Sequence, residues 1–454
     1  MSHTVLNNHL LNRVKRLILN LSTNTSKFYI AFSGGMDSHI LLHVIHHLFS
    51  HLPLQALHVN HGLHPEATKW AIHCQTICDA LNIPLHIEDI ASQLHSKVYQ
   101  EKSKGPEEAA RNARYAILKA KLKANDCLLT GHHMDDQAET LLLQLSRGSG
   151  VQGLASMPFV TKHQAGYYHL RPLLDWTYEE RITYAKQHQL TWIEDSSNLD
   201  QHFTRNFIRH NILPGFKKRW PRIAKIFSRT ADHCAEASNL CAEVAQQDLS
   251  NISQNEQNRL SIEGLLQLSS ARSRNALRYW LKQQLDYFPA SAQLHQIEQL
   301  LYSKKSYLEL FFKNRIFKRY RSHLYSLPQK TDDSIPISPI PWDIREPLKL
   351  NSGYTLIAKS TQGIGIRCAL LSKHPILEVC FRKGGERFRP NGRNGSHPLK
   401  KLYQEWNILP WQRSEVPLLY FQDKLIAVAG YAIAEDNKAH AKEPGISIVL
   451  TKNS

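Results

Sequence analysis

Three short polar clusters hold most of the residues in this chain that are able to do chemistry. Residues 33–38 read Ser-Gly-Gly-Met-Asp-Ser and follow the apolar run Phe28-Tyr29-Ile30-Ala31-Phe32. An apolar helical pattern, Ile40, Leu41, Leu42, Val44 and Ile45, comes straight after them. A strand that enters a glycine turn and leaves as a helix aims backbone N–H groups and the positive helix end at one point, which suits a phosphate. Gly34 and Gly35 let a ligand approach the backbone, while Ser33, Met36 and Ser38 complete the turn. Asp37 places an anion where anions are expected to bind, which points to a bridging Mg²⁺. The turn carries neither the Gly-x-x-x-x-Gly-Lys pattern of one phosphate loop nor the Gly-x-Gly-x-x-Gly of dinucleotide binders.

The second cluster, residues 131–140, reads Gly-His-His-Met-Asp-Asp-Gln-Ala-Glu-Thr. Asp136 and Glu139 are three apart and share one helix face. Helix capping alone would use one or two acids there. His132, His133, Asp135, Asp136 and Glu139 exceed that need. The histidines suit a phosphate or a nucleobase, and the carboxylates suit Mg²⁺ or an incoming amine. Zinc is disfavoured, because the spacing is not His-Glu-x-x-His and no cysteine lies at ligand spacing. The third cluster is cationic: Arg111 and Arg114 in one amphipathic segment, then Arg205 and Arg209 beyond Glu194 and Asp195. Guanidinium groups over strand ends would face phosphate or developing negative charge.

Positioning these clusters requires alternating elements. The patterns predict strands at 27–32, 54–60, 83–87 and 127–131, with helices at 37–49, 66–81, 107–124 and 135–145. Short apolar strands between amphipathic helices predict an α/β fold, a doubly wound parallel sheet with helices on both faces. Ligands of such sheets sit at the carboxyl ends of the strands. The clusters at 33–38, 60–63 and 131–136 all fall there, so one crevice is expected to collect them. A further unit, a short strand near 170, a helix at 178–189 and a strand-like run at 190–193, precedes a basic helix at 204–216. The chain is then mostly helical to about 301 and continues as a basic hairpin at 307–327. A proline-dense stretch follows at 328–347, and strand-like runs close the chain from 376.

The 454 residues predict two or three domains, and the composition, 42% hydrophobic, suits a globular protein. No apolar run approaches the ~18 residues of a membrane span, and residues 1–10 do not read as a signal peptide, so a cytosolic protein is expected. Seven cysteines with no Cys-x-x-Cys argue for reduced thiols, with Cys74 and Cys78 as small core residues. The net charge of +17 points to a polyanionic partner.

Five segments together make the reading specific. They are 33–38, His58-Val-Asn-His-Gly-Leu63, 131–140, Arg171-Pro172-Leu173, and Glu194 through Arg209. The first resembles the pyrophosphate loop of N-type ATP pyrophosphatases. In order and spacing, the set closely resembles the tRNA(Ile)-lysidine synthetases. Residues 381–390, with Lys400-Lys401-Leu402 and Pro417-Leu418-Leu419-Tyr420, resemble the C-terminal domain of that family. The likeness is weakest across about 235–375. His64 stands where the family often has arginine, and Asn60 replaces an acid found in some members.

The resemblance implies an ATP-dependent ligase. It would adenylate the 2-position oxygen of the wobble cytidine in the CAU anticodon of isoleucine tRNA, releasing pyrophosphate. The ε-amine of free L-lysine would then displace AMP. ATP and Mg²⁺ are the implied cofactors. Ser33, Gly34, Gly35, Met36, Asp37, Ser38, His58, Asn60, His61, Gly131 and His132 are expected to bind the nucleotide, and Asp37 and Asp136 the metal. Asp136 and Glu139 are candidates to receive the lysine ammonium, and Arg111, Arg114 and Arg205 to stabilise charge on AMP and phosphate. Arg209, Lys217, Lys218 and Arg219 form one candidate tRNA patch, and Arg382, Arg387, Arg389, Lys400 and Lys401 another. The expected domains are catalytic (1–220), helical and tRNA-binding (221–330), linker and strands (331–374), and a small α+β tRNA-binding domain (375–454). A tRNA thiolase and a non-catalytic tRNA-binding protein are the rival readings. Missing Cys-x-x-Cys counts against the first, and the intact acidic clusters count against the second.

Overall fold

The computed structural model describes residues 11–19, 21, 25–60, 66–89, 116–163, 165–194, 200–252, 258–285, 287–303, 305, 307–312, 315–329, 338–351, 353–372 and 374–452. They form two compact units, one of residues 1–308 with 319–325, the other of 309–318 with 326–454.

The first unit is built on a sheet whose described strands are β1 (Phe28–Ala31), β2 (Leu54–Asn60), β3 (Leu85–Asp89), β4 (Cys127–Leu129), β5 (Val160–Lys162) and β6 (Tyr168–Leu170). Their order is β3-β2-β1-β4-β6-β5. All neighbours run parallel except β5 and β6, an antiparallel pair at the edge. The strand order reverses beside β1, where a doubly wound sheet opens its crevice. Helix α1 (Met36–Leu48) turns Ile40, Leu41, Leu42, Val44 and Ile45 into the core against Phe28, Ile30 and Phe32. Helix α2 (Ala67–Ala80) packs into the same core through Cys74 and Cys78, both fully buried. Burial pushes each thiol up to about 12, so they pack as small apolar groups. Among the described residues no His, Cys, Asp or Glu group is arranged as a ready-made metal cage.

Helix α3 (Met134–Ser146) follows β4, the short helix α4 (Val151–Leu154) precedes β5, and α5 (Tyr178–Gln187) follows β6. The strand-like run expected at 190–193 does not form a strand. It is instead an irregular segment laid on the glycine turn, with the Ile193 N–H donating to the Gly34 carbonyl at 3.0 Å. The basic helix expected over 204–216 is interrupted: α6 (Thr204–Phe207), a wide π turn (Ile208–Ile212), then α7 (Leu213–Arg219). Pro214 lies just beyond the wide turn and has no N–H to close a regular ladder there. The long helix α8 (Ile223–Ile252) leads to β7 (Arg259–Ser261), α9 (Ile262–Gln267), α10 (Ser270–Leu285) and α11 (Ser291–Tyr302).

The second unit is largely antiparallel. One sheet has β8 (Ile340–Asp343) and β9 (Ile376–Cys380) in register with β10 (Leu418–Phe421) and β11 (Lys424–Val428) beyond them. A short helix, α12 (Leu399–Glu405), buries Leu399, Leu402 and Tyr403 against Phe388, Leu418 and Val428. No described helix is long and apolar enough to cross a membrane.

Candidate nucleotide site and its acid–arginine network

The turn between β1 and α1 is closed by its own hydroxyls. Ser38 Oγ donates to the Gly35 carbonyl at 2.9 Å and accepts the Ser33 N–H at 3.2 Å. Ser33 Oγ lies 3.1 Å from Ser38 Oγ and accepts the Gly35 N–H at 3.4 Å. Gly34 has φ +84°, a left-handed conformation that favours glycine. A Cβ there would sit 2.7 Å from Ile193 Cδ1 and 3.0 Å from Cys74 Sγ. The turn therefore precedes a 13-residue helix whose first N–H groups have no intrahelical partner, an anion-binding arrangement. Met36 opens that helix.

The exit of β4 rests on this turn. A Cβ on Gly131 would lie 2.8 Å from the Asp37 carbonyl oxygen and 3.1 Å from Ser38 N. Only the bare glycine lets the second cluster lie against the first. His133 then caps α3 in a reciprocal box: its Nδ1 accepts the Asp136 N–H at 3.3 Å, and Asp136 Oδ2 accepts the His133 N–H at 3.1 Å. Because Nδ1 accepts, the ring proton sits on Nε2. That atom lies 3.4 Å from Asp37 Oδ2 and 3.3 Å from Asp136 Oδ2, between the two carboxylates.

Guanidinium groups complete the cluster. Arg205 reaches Asp136 Oδ1 at 2.7 Å and Glu139 Oε2 at 2.8 Å. Arg209 reaches Glu139 Oε1 at 2.7 Å, Glu139 Oε2 at 3.0 Å and Asp136 Oδ1 at 3.3 Å. Arg181, on α5, pairs with Asp37 and lies 3.6 Å from Asp135 Oδ2; Lys217 meets Asp135 Oδ1 at 2.9 Å. Four carboxylates, Asp37, Asp135, Asp136 and Glu139, thus balance four cations, Arg181, Arg205, Arg209 and Lys217. Burial opposes ionisation of Asp37, yet His133 and Arg181 hold it below the usual carboxylate range. Burial likewise opposes ionisation of Asp136, and His133 and Arg205 overcome it by a wide margin. Burial would lower Arg205 and Arg209, but the carboxylates raise both.

The structure gathers Ser33, Gly34, Gly35, Met36, Asp37, Ser38, Gly131, Asp136, Glu139, Arg205 and Arg209 around one crevice end, and His132 follows Gly131 directly. It places His58 behind the turn, buried, with Nδ1 at 2.9 Å from the Phe32 carbonyl. Asn60 lies on the β2–β3 side and donates to Asp89 at 3.3 Å. His61, Arg111 and Arg114 lie outside the described residues. Arg209, read as a tRNA contact, is engaged with Glu139 and Asp136, and Lys217 with Asp135; Lys218 and Arg219 are exposed. In the second unit Arg387, Arg389, Lys400 and Lys401 are exposed, while Arg382 lies half-buried beside Glu386.

Arg181 is not among the expected site residues, because in the sequence it is one more charge on a polar helix. Its signal was positional: it shares a buried stripe with Tyr184 and Ala185, and a charge in such a stripe needs partners. Thr130, His169 and Arg171, which line the β4–β6 ends, were also outside the candidate list.

A glycine turn at a strand end, an ionised aspartate on the following helix and a second acidic helix start define an ATP-using enzyme of the pyrophosphate-loop class. The family model described as PP-loop domain matches residues 6–216. The TilS substrate binding domain matches 260–325, and the TilS substrate C-terminal domain matches 377–450. The tRNA(Ile)-lysidine synthase of Coxiella burnetii is 42% identical over 432 residues, 94% of this chain and 93% of the relative. That of Legionella pneumophila (strain Paris) is 38% identical over 90% and 92%, and that of Edwardsiella ictaluri 35% over 94% and 96%. The chain belongs to the tRNA(Ile)-lysidine synthase family.

Proposed function

We propose that this chain, an ATP-using ligase that forms lysidine on tRNA(Ile), joins free L-lysine to C2 of the wobble cytidine of a CAU anticodon. The supporting observation is the union of the closed glycine turn with the Asp37–His133–Asp136 cluster through Gly131. The turn and the start of α1 receive the phosphates. The 2-position oxygen of cytosine is a poor leaving group, and its attack on the α-phosphate of ATP converts it to a good one while pyrophosphate departs. His133 presents its N–H between Asp37 and Asp136 and keeps the two carboxylates convergent. That pair fits Mg²⁺, which binds through one or two carboxylates and completes its shell with phosphate oxygens and water. Asp37 and Asp136 would hold the ion, which when bound offsets the charge of the leaving pyrophosphate.

The lysine amine must attack without its proton, although its ordinary pKa is ~10.4. Asp136 and Glu139 are the carboxylates offered to the ammonium; one of them takes its proton as the amine bonds to C2 and the C2–O bond to AMP breaks. Their present partners, Arg205 and Arg209, support this reading, since each directs N–H groups onto Glu139. Arg205 can turn one N–H toward AMP when an amine takes its place, and Arg111 and Arg114 are proposed to serve the same charge. Lys218 and Arg219, and in the second unit Arg382, Arg387, Arg389, Lys400 and Lys401, are proposed to hold the tRNA backbone, which positions it without reading sequence. The domain bounds proposed are 1–220, 221–330, 331–374 and 375–454.

Mass analysis of isoleucine tRNA after incubation with ATP and lysine tests the reading. The expected result is one lysine added at the wobble cytidine. Asp37→Ala should bind tRNA almost as the parent does and add no lysine; equal loss of both would remove the role given to Asp37. Sulfur incorporation in place of lysine would favour a thiolase.

A further inference from the structure

The side chains behind His132 form a row of hydrogen bonds whose direction is fixed at one end. Arg171 is always charged and can only donate. Its Nη2 lies 3.2 Å from Nδ1 of His169, so that nitrogen accepts. Arg171 is itself anchored, donating from Nη1 to the Pro158 carbonyl at 2.7 Å. His169 is 4% exposed. Burial, with Arg171, His132, His163 and Lys119 around it, keeps its ring neutral. A neutral ring that accepts at Nδ1 carries its proton on Nε2, and Nε2 lies 2.9 Å from Thr130 Oγ1. Thr130 Oγ therefore accepts from His169, and its own hydrogen points onward to Nδ1 of His132, 2.7 Å away.

We infer that Arg171, His169 and Thr130 are positioning residues that fix His132 as a neutral ring protonated on Nε2. This gives His132 a definite chemical sense. Its outer nitrogen donates a hydrogen bond and does not take a proton, so it suits an acceptor atom of the nucleotide, a phosphate oxygen or a ring nitrogen. Thr130 and Arg171 flank the β4 and β6 ends, and the row uses the two strands as a rigid frame. The donor role toward ATP rests on the nucleotide reading of the crevice; the tautomer does not.

The test is long-range ¹H–¹⁵N correlation on histidine-labelled full-length protein at pH 7.5, with the His132 signals assigned by their loss in His132→Gln. The expected pattern is the Nε2–H tautomer for both His132 and His169. Thr130→Val keeps the side-chain shape and removes the relay, so His132 should shift to a mixture of tautomers and affinity for an ATP analogue should fall about tenfold. Thr130→Ser should restore both. A protonated or Nδ1–H His132 in the parent protein, or an unchanged tautomer in Thr130→Val, would overturn the inference, and the parent measurement stands even if the valine variant fails to fold. The expected tautomer with His132 signals indifferent to ATP would leave the relay standing and overturn the nucleotide reading instead.

Discussion

Gly131→Ala should weaken nucleotide binding without removing any polar side chain. Gly131 is not among the residues with positive φ, so alanine brings no backbone strain of that kind. The whole effect is steric. Its Cβ would meet the Asp37 carbonyl oxygen at 2.8 Å, the Asp37 carbonyl carbon at 2.9 Å and Ser38 N at 3.1 Å. These are backbone atoms of the first turn of α1, which cannot rotate aside as a side chain would. Either the strand exit or the phosphate turn must move by several tenths of an ångström. Overpacking of this kind costs about 1–3 kcal/mol. At about 1.4 kcal/mol per tenfold, a cost that falls on the binding-competent geometry weakens ATP binding by roughly 5- to 150-fold. Calorimetric titration with a non-hydrolysable ATP analogue measures this directly. Gly215→Ala is the control: nothing lies within 4 Å of its Cβ, and it sits inside α7. Helix propensity makes that change neutral or stabilising by about 1 kcal/mol. Parent-like affinity and thermal stability in Gly131→Ala would refute the claim that the second cluster rests on the first.

Acid should destabilise the first unit through His169. Its folded pKa is pushed down to about 2, mainly by burial, whereas the unfolded chain takes up that proton near 6.5. Stability from this group is therefore complete above about pH 6.5 and is lost as pH falls. Between pH 6.5 and 5 it amounts to about 2 kcal/mol. Asp175, raised to about 6 by burial against the opposing pull of Arg13, acts in the opposite sense, taking up a proton earlier when folded. Comparing His169→Leu with the parent removes that common contribution; the drop in thermal midpoint from pH 7 to 5 should be smaller in the variant, and an equal drop would sink the argument. In the second unit, Lys400→Glu with Lys401→Glu should reduce tRNA affinity and flatten its salt dependence by a slope of about 2, with ATP affinity unchanged. Filter binding across a salt series reads both, and an unaltered slope would take these lysines off the RNA.

Much of the first unit was legible because its signals are local. The run 54–60 became β2 with the same bounds, since alternating apolar positions between turn residues suffice to mark a strand. The glycine turn, α1 and α3 were read for the same reason. The edge pair β5–β6 was not: Val160–Lys162 is three residues long, half-buried and partly polar, and gives no period to detect. The π turn at 208–212 was hidden because a basic amphipathic run looks alike with regular or widened spacing. Partners were the least legible feature. Arg205 and Arg209 lie 66 and 70 residues from Glu139, and Arg181 lies 144 from Asp37, so only the closed sheet reveals that basic and acidic clusters meet. Charges read as a surface for RNA are here partly consumed by carboxylates.

That consumption changes how inactive variants should be read. Glu139 is 1% exposed and receives three N–H bonds from two guanidinium groups. Removing one member of a buried ion pair typically costs about 3–5 kcal/mol, because the partner is left charged and unpaired. Such a loss takes a large part of a domain's stability. An inactive Glu139→Ala or Arg205→Ala enzyme would therefore speak first of folding, whatever these groups do to lysine. Asp37 differs. Nearly a third of its side chain is exposed, and its two partners each keep a second carboxylate, Arg181 beside Asp135 and His133 beside Asp136. Losing Asp37 leaves neither partner without a carboxylate, so the network can close without it. Among the four acids it is the one whose removal separates chemistry from stability, and the assignment of the crevice should be made to stand or fall on it.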